Sequence, residues 1–249
     1  MISACATHPG LVRQNNEDCI RVDDDLGIYL LADGIGGHNA GEVASALAVD
    51  TVYSVLRSNI ERTAADGYFE LMVYAMHTAH WEIYSRAQSD PACLKMGTTL
   101  VVALFRENRV YVVNAGDSRC YLYHGASAVG DGCSENRLEL LTHDHTVGDQ
   151  LLASGISAGQ IPKKQFHTLT QSLGCGNPPY PDFSMVEIEP GDLLLICSDG
   201  LTDMLTDAEI EDLLVHRDPC LDTVAADLIE AANARGGRDN VSVVLMTPA

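Results

Sequence analysis

The sequence predicts a layered α+β protein with antiparallel sheets, and three observations support this. Short apolar runs rich in Val, Leu, Ile and Tyr recur along the chain, bounded by Gly, Asp or Asn, which is the pattern of β-strands. Helical patterns occur in separate stretches instead of alternating one for one with these runs. Strand patterns also follow one another directly, as in "RVYVVNAGDSRCYLYH" (109–124), which favours antiparallel pairing.

The elements can be read in chain order. "CIRVDD" (19–24) is strand-like, and "GIYLLAD" (27–33) reads as a strand ending on Asp33. "GEVASALAVDTVYSVL" (41–56) has helical spacing. So does 68–87, where Phe69, Met72, Val73, Met76, His80 and Ile83 recur three and four residues apart on one face. "TTLVVALF" (98–105), "RVYVVNAG" (109–116) and "RCYLYH" (119–124) are strands. "HGASAVGDGCSEN" (124–136) has three glycines and no apolar period, and reads as a solvated insertion. Residues 142–167 hold weak helical pieces broken by Gly and Pro. "DLLLICSD" (192–199), a helix over 221–237 and the strand "NVSVVLM" (240–246) complete the chain. The strands are almost continuously apolar, so both of their faces should be buried inside stacked layers.

The 249 residues are 46% hydrophobic, enough for a sizeable core within one domain spanning 1–249. No apolar run approaches the ~18 residues of a membrane span. The N-terminus lacks a basic region followed by an apolar core, so a cytoplasmic location is expected. The net charge of −20 argues against nucleic acid as a partner, because phosphate backbones need clustered Lys and Arg. It allows anionic substrates where metal ions supply local positive charge. The eight cysteines form no CxxC pair, and Cys120 and Cys197 sit in strand patterns as buried reduced thiols.

The carboxylates need a reason. Asp33 and Asp199 each end an apolar run and precede a glycine; Asp239 precedes the last strand, and Asp117 lies between two strands. Glu17 and Asp18 stand before "CIRVDD". Strand ends in a sandwich converge on one edge, so these side chains can meet. Clustered carboxylates repel and are costly to desolvate unless a cation compensates. Hard oxygen donors without His or Cys suit Mg²⁺ or Mn²⁺. A lone Asp-Gly is more often a turn than a ligand; two at strand ends, plus "RDN" before a strand, shift the balance. "GIGGHNAG" (34–41) is neither a dinucleotide fingerprint, since Asn39 holds the sixth position, nor a phosphate loop, since GK[ST] is missing.

With these residues in view, the chain resembles the metal-dependent PP2C (PPM) protein serine/threonine phosphatases in their compact bacterial form. The resemblance rests on "GLVRQNNED", "LLADGIGGHNAGEVAS", "MGTTLVVAL", "NAGDSRCYLY", "LTHDHT", "LLLICSDGLTD" and "GGRDNVSVVLM", in that order over nearly the whole chain. It implies a β-sandwich of two antiparallel sheets flanked by helix pairs, with the site at one end. Asp33 would bridge two Mn²⁺ or Mg²⁺ ions, the Gly34 carbonyl would bind the first, and Asp199 and Asp239 would complete the second. Asp117 with Asp199 would hold a third. Asp18, with Glu17, would hold metal-bound waters, Arg13 would clamp the phosphate, and about 142–167 would be a mobile flap. A water shared by two metals would hydrolyse phosphoserine or phosphothreonine in phosphorylated proteins, opposing a serine/threonine kinase. The enzyme would work as a monomer, with no nucleic acid or membrane partner. Long eukaryotic members place His directly after Asp-Gly. Here Ile35 stands there and His38 follows three residues later, as a general acid, a substrate contact or a structural residue. His143 and His145 read as solvated or structural. The alternative, a pseudophosphatase scaffold, should lack a metal aspartate, and none is lost.

Overall fold

A computed structural model of the chain describes residues 1–36, 40–125 and 137–248. His38 and residues 126–136 of the expected insertion therefore lie outside the described residues. In chain order the elements are β1 (Ile2–His8), β2 (Asp18–Asp23), β3 (Ile28–Ile35), α1 (Gly41–Asn59), α2 (Tyr68–Ser89), β4 (Gly97–Thr98), β5 (Leu100–Arg106), β6 (Arg109–Ala115) and β7 (Arg119–Tyr123). They continue with β8 (Leu138–Leu140), α3 (Val147–Ala153), β9 (Asp182–Glu187), β10 (Leu193–Cys197), α4 (Asp199–Thr202), α5 (Asp207–Val215), α6 (Leu221–Ala234) and β11 (Val241–Thr247).

One sheet has the order β1-β11-β10-β7-β8; the other runs β2-β3-β5-β6-β9, with β4 on the end of β3. All of these strand pairs are antiparallel. Side-chain alternation explains the layering. In β3, Ile28, Leu30 and Ala32 pack under α1 and α2, while Tyr29 and Leu31 join Val101, Val112, Ile196 and Val244 between the sheets. In β10, Leu193, Leu195 and Cys197 face α5 and α6 instead. The result is helix, sheet, sheet, helix, with three apolar layers, and the continuous apolarity of the strands reflects burial on both faces.

Three differences from the sequence reading have physical causes. β3 does not stop at Asp33: Gly34 and Ile35 pair with Thr98 and Gly97 of β4, which extends the strand by two residues. β1, β8 and β9 lacked an apolar run because these edge strands expose side chains along their length; β9 alternates half-buried and exposed residues. α5 begins with a capping box, in which Thr206 and Glu209 each bond the other's backbone N–H, and this short helix lacked the long apolar period of its neighbours.

Candidate metal centre

The alternation that puts Tyr29 and Leu31 between the sheets also brings Asp33 to the end of that inter-sheet layer. Its neighbours lock its backbone. The Asp33 N–H donates to Thr99 Oγ1 (3.0 Å), and its carbonyl accepts from Thr98 Oγ1 (2.8 Å) and the Thr99 N–H (2.9 Å). Asp18 is its direct partner across β2 and β3. The Ser198 hydroxyl, just past β10, donates to Asp18 Oδ2 at 2.9 Å. Asp18 Oδ1 is buried and has no partner among the described residues.

The glycines after the two aspartates serve close backbone approach. A Cβ on Gly34 would collide with the carbonyl oxygens of Gly41 and Glu17, and one on Gly200 with that of Asn240. Three chain segments thus meet at Gly34, and α4 is pressed against the start of β11 at Gly200. Asp199 opens α4, and Asp239 stands two residues before β11. Asn240 knits in the loop carrying Arg13: its Oδ1 accepts from the Glu17 N–H (2.8 Å) and its Nδ2 donates to the carbonyls of Pro9 (3.1 Å) and Asn15 (2.8 Å). Arg13 Nη2 then donates to Asp239 Oδ2 at 2.6 Å.

Asp117 arrives from the β6–β7 turn. The preceding Gly116 N–H donates to His145 Nδ1 (3.1 Å), so His145 is a structural acceptor; His143 is exposed beside Asp182. Two residues on, Arg119 forms a two-pronged pair with Asp144 (Nε–Oδ1 2.9 Å, Nη2–Oδ2 2.7 Å). Arg13, Asp33, Gly34, Asp117, Asp199 and Asp239 line one cleft of about 810 Å³, with Asp18 behind it.

The charges in this cleft oppose one another. Desolvation, then Asp18, Asp199 and Asp117, hold the Asp33 carboxyl well above the usual range. Desolvation with Asp117 and Asp203 does the same to Asp199. Burial pushes Asp18 up to about 6, against hydroxyls of Ser242 and Ser198 that pull it down. Burial and Asp144 push Asp117 up to about 6. A set of mutually repelling carboxylates, with one carboxylate oxygen buried and unpartnered, fits a hard divalent cation. The residues present therefore suit Mg²⁺ or Mn²⁺.

The chain matches the family model described as protein phosphatase 2C over residues 7–236. It belongs to the protein phosphatase 2C family. It is 34% identical to a serine/threonine phosphatase Stp of Listeria welshimeri over 247 residues, 96% of this chain and 93% of that protein. It is 33% identical to the protein phosphatase PhpP of Streptococcus pneumoniae, over 97% and 95% of the two chains. Among solved structures it resembles the Mycobacterium tuberculosis serine/threonine phosphatase PstP/Ppp, with a TM-score of 0.82, 32% identity and coverage of 98% and 97%. It also resembles the PstP catalytic domain in complex with two manganese ions (TM-score 0.81, 33% identity, coverage of 98% and 96%). The chain is thus a metal-dependent protein phosphatase built on the sandwich described above.

In this phosphatase the sequence reading missed two groups at the centre. One ligand atom each of His167, Asp199 and Asp203 lies within 4.8 Å of the others. Asp203 stood in the quoted "LLLICSDGLTD", four residues after Asp199, at the spacing of one helical turn. His167 had no local sign, since only the tertiary path of the segment after α3 brings it back to the cleft. The Arg119–Asp144 pair was also missed, although "GDSR" and "THDH" hold its two halves.

Proposed function

We propose that the protein removes phosphate from phosphoserine and phosphothreonine in proteins, in opposition to a serine/threonine kinase, with Asp33, Asp199 and Asp239 holding two divalent cations. The observation that carries this reading is the meeting of these three carboxylates, with Asp117, in one cleft beside the Arg13 guanidinium. The Gly34 carbonyl would help hold the first ion, and Asp117 with Asp199 would hold a third, next to Asp203 and His167. When bound, the cations neutralise the phosphoryl oxygens and make water acidic enough to supply a nucleophile.

The chain's own groups do the rest. Asp18, whose buried Oδ1 has no partner among the described residues, and Glu17 accept hydrogen bonds from water and so orient it. The Asp239 pair uses one Arg13 N–H, which leaves further donors of the fork for phosphoryl oxygens. A water oxygen bonds to phosphorus as the serine or threonine oxygen leaves; no phosphoenzyme forms. His38 is a candidate to protonate that oxygen, with a substrate contact or a structural role as the alternatives. The 142–167 segment is the flap, and His167 on it lines the cleft. The protein acts as a single domain and a monomer in the cytoplasm, where the seven described cysteines, all free, stay reduced. The scaffold alternative has no observation in its favour, since all four aspartates are present.

Phosphopeptide hydrolysis tests this. Phosphoserine and phosphothreonine peptides should be cleaved with Mn²⁺ and spared in EDTA, and phosphotyrosine peptides should be poor substrates. Full turnover in chelator would overturn the two-metal assignment.

A further inference from the structure

A second groove, of about 500 Å³, lies between α3 and residues 169–180. Leu169, Ser172 and Cys175 line both this groove and the catalytic cleft, so one runs into the other. Gln150, Asn177 and Tyr180 add to its walls. Among the described residues no Asp, Glu, Lys or Arg lines it, although the chain has 35 acidic and 15 basic residues.

The outer wall is held in place by α2. The Gly174 N–H donates to His80 Nδ1 at 3.1 Å, and His77 Nε2 donates to the Pro179 carbonyl at 2.9 Å. The Tyr180 N–H donates to Gln171 Oε1 at 2.6 Å. Two imidazoles three residues apart thus pin both ends of the 174–179 loop. Tyr180, at the end of this wall, is 85% exposed, an aromatic left open to contact.

We propose that this groove is the subsite for the substrate's polypeptide on one side of the phosphorylated residue, and that it selects an uncharged stretch of chain. This rests on the phosphatase reading of the adjoining cleft. Neutral amides and hydroxyls suit the backbone groups of an extended peptide. A charged side chain there gives up part of its hydration to the groove wall and meets no opposite charge among the described residues, which disfavours it.

The test uses the whole protein with Mn²⁺ and phosphothreonine peptides of equal length. Neutral, Glu or Lys triplets are placed on either side of the phosphothreonine, and p-nitrophenyl phosphate serves as a substrate without flanks. Charged triplets on one side should lower kcat/KM on the order of tenfold, mainly through KM, with a smaller effect on the other side. Gln150→Lys and Asn177→Lys put a cation at exposed groove positions. Each should raise the Glu-to-neutral kcat/KM ratio for that same side and lower the Lys-to-neutral ratio. Hydrolysis of p-nitrophenyl phosphate with no side preference, and ratios unmoved by either lysine, would overturn the groove assignment alone. No hydrolysis of any substrate would overturn the phosphatase reading and this inference with it.

Discussion

Asp18 and Asp33 face each other directly across β2 and β3. Like charges in that position destabilise a sheet. The strands nevertheless keep this register, because a slip of one residue would turn Tyr29 and Leu31 out of the inter-sheet layer. Apolar packing therefore fixes two carboxylates in a repulsive arrangement, and the repulsion is relieved by protons or by a divalent cation.

Cation binding should stabilise the fold and release protons. Asp18 and Asp117, raised to about 6, must be deprotonated in the metal-bound state. A raised carboxyl favours the metal-free fold as pH falls through its folded value, and the same protons oppose the metal. Mn²⁺ a hundredfold above its Kd should raise Tm by roughly 5–10 °C at pH 7.5. That increment should shrink steadily toward pH 5, as read by scanning calorimetry with Mn²⁺ and with EDTA. A constant increment would mean that these carboxyls are not ligands or their neighbours.

Asp239→Asn and Asp199→Asn keep shape and remove charge. Each should lower kcat by at least ~10²-fold, the scale of one lost electrostatic stabiliser. The metal-free fold should survive in both and gain stability in Asp199→Asn, where a repelling charge has gone, while Asp239→Asn also loses the pair with Arg13. Steady-state kinetics and melting in EDTA check the two halves separately.

Arg13→Ala should raise KM more than it lowers kcat, with a total loss of about 1.5–3 kcal/mol, the range for hydrogen bonds to charged groups. Arg13→Lys should recover only part, because an ammonium cannot form the fork. The 2.6 Å pair with Asp239 adds a second expectation. Removing the guanidinium frees a candidate ligand, so Mn²⁺ binding should hold or tighten in calorimetric titration, and weaker binding would contradict the placement.

Arg119 and Asp144 form a mostly buried two-pronged pair beside Asp117. Arg119→Met strands the Asp144 charge and should cost about 3 kcal/mol, the low end for breaking a buried pair. Adding Asp144→Leu should recover most of that stability. Denaturant melts of the two single variants and the double variant form the cycle.

His80 is held below its ordinary range by burial and by His77. Below about pH 6.5 the unfolded chain takes up a proton that the folded one refuses, so stability falls with pH in that window. His80→Asn keeps an acceptor for the Gly174 N–H and does not titrate. Its Tm should decline less than the wild type's between pH 7 and 5.5, and equal declines would remove His80 from the acid response.

Local chemistry made much of this protein legible in its sequence. Continuous apolar runs and helical spacing marked β3, β5, β6, β7, β10, β11, α1, α2 and α6, because burial on both faces demands continuous apolar strands. Asp33, Asp117, Asp199 and Asp239 stood out because a charge at the end of such a run is unusual. The edge strands β1, β8 and β9 did not stand out, since their side chains are partly exposed and need no apolar run. Other features were decided only by the tertiary structure. Asp18 meets Asp33 through strand register, Arg13 reaches Asp239 across 226 positions, and His167 returns to Asp199 along a segment with no periodic pattern. A sequence shows which groups seek a cation or an apolar neighbour; the choice among partners far apart in the chain is made when packing fixes the strands' register and brings their ends to one edge.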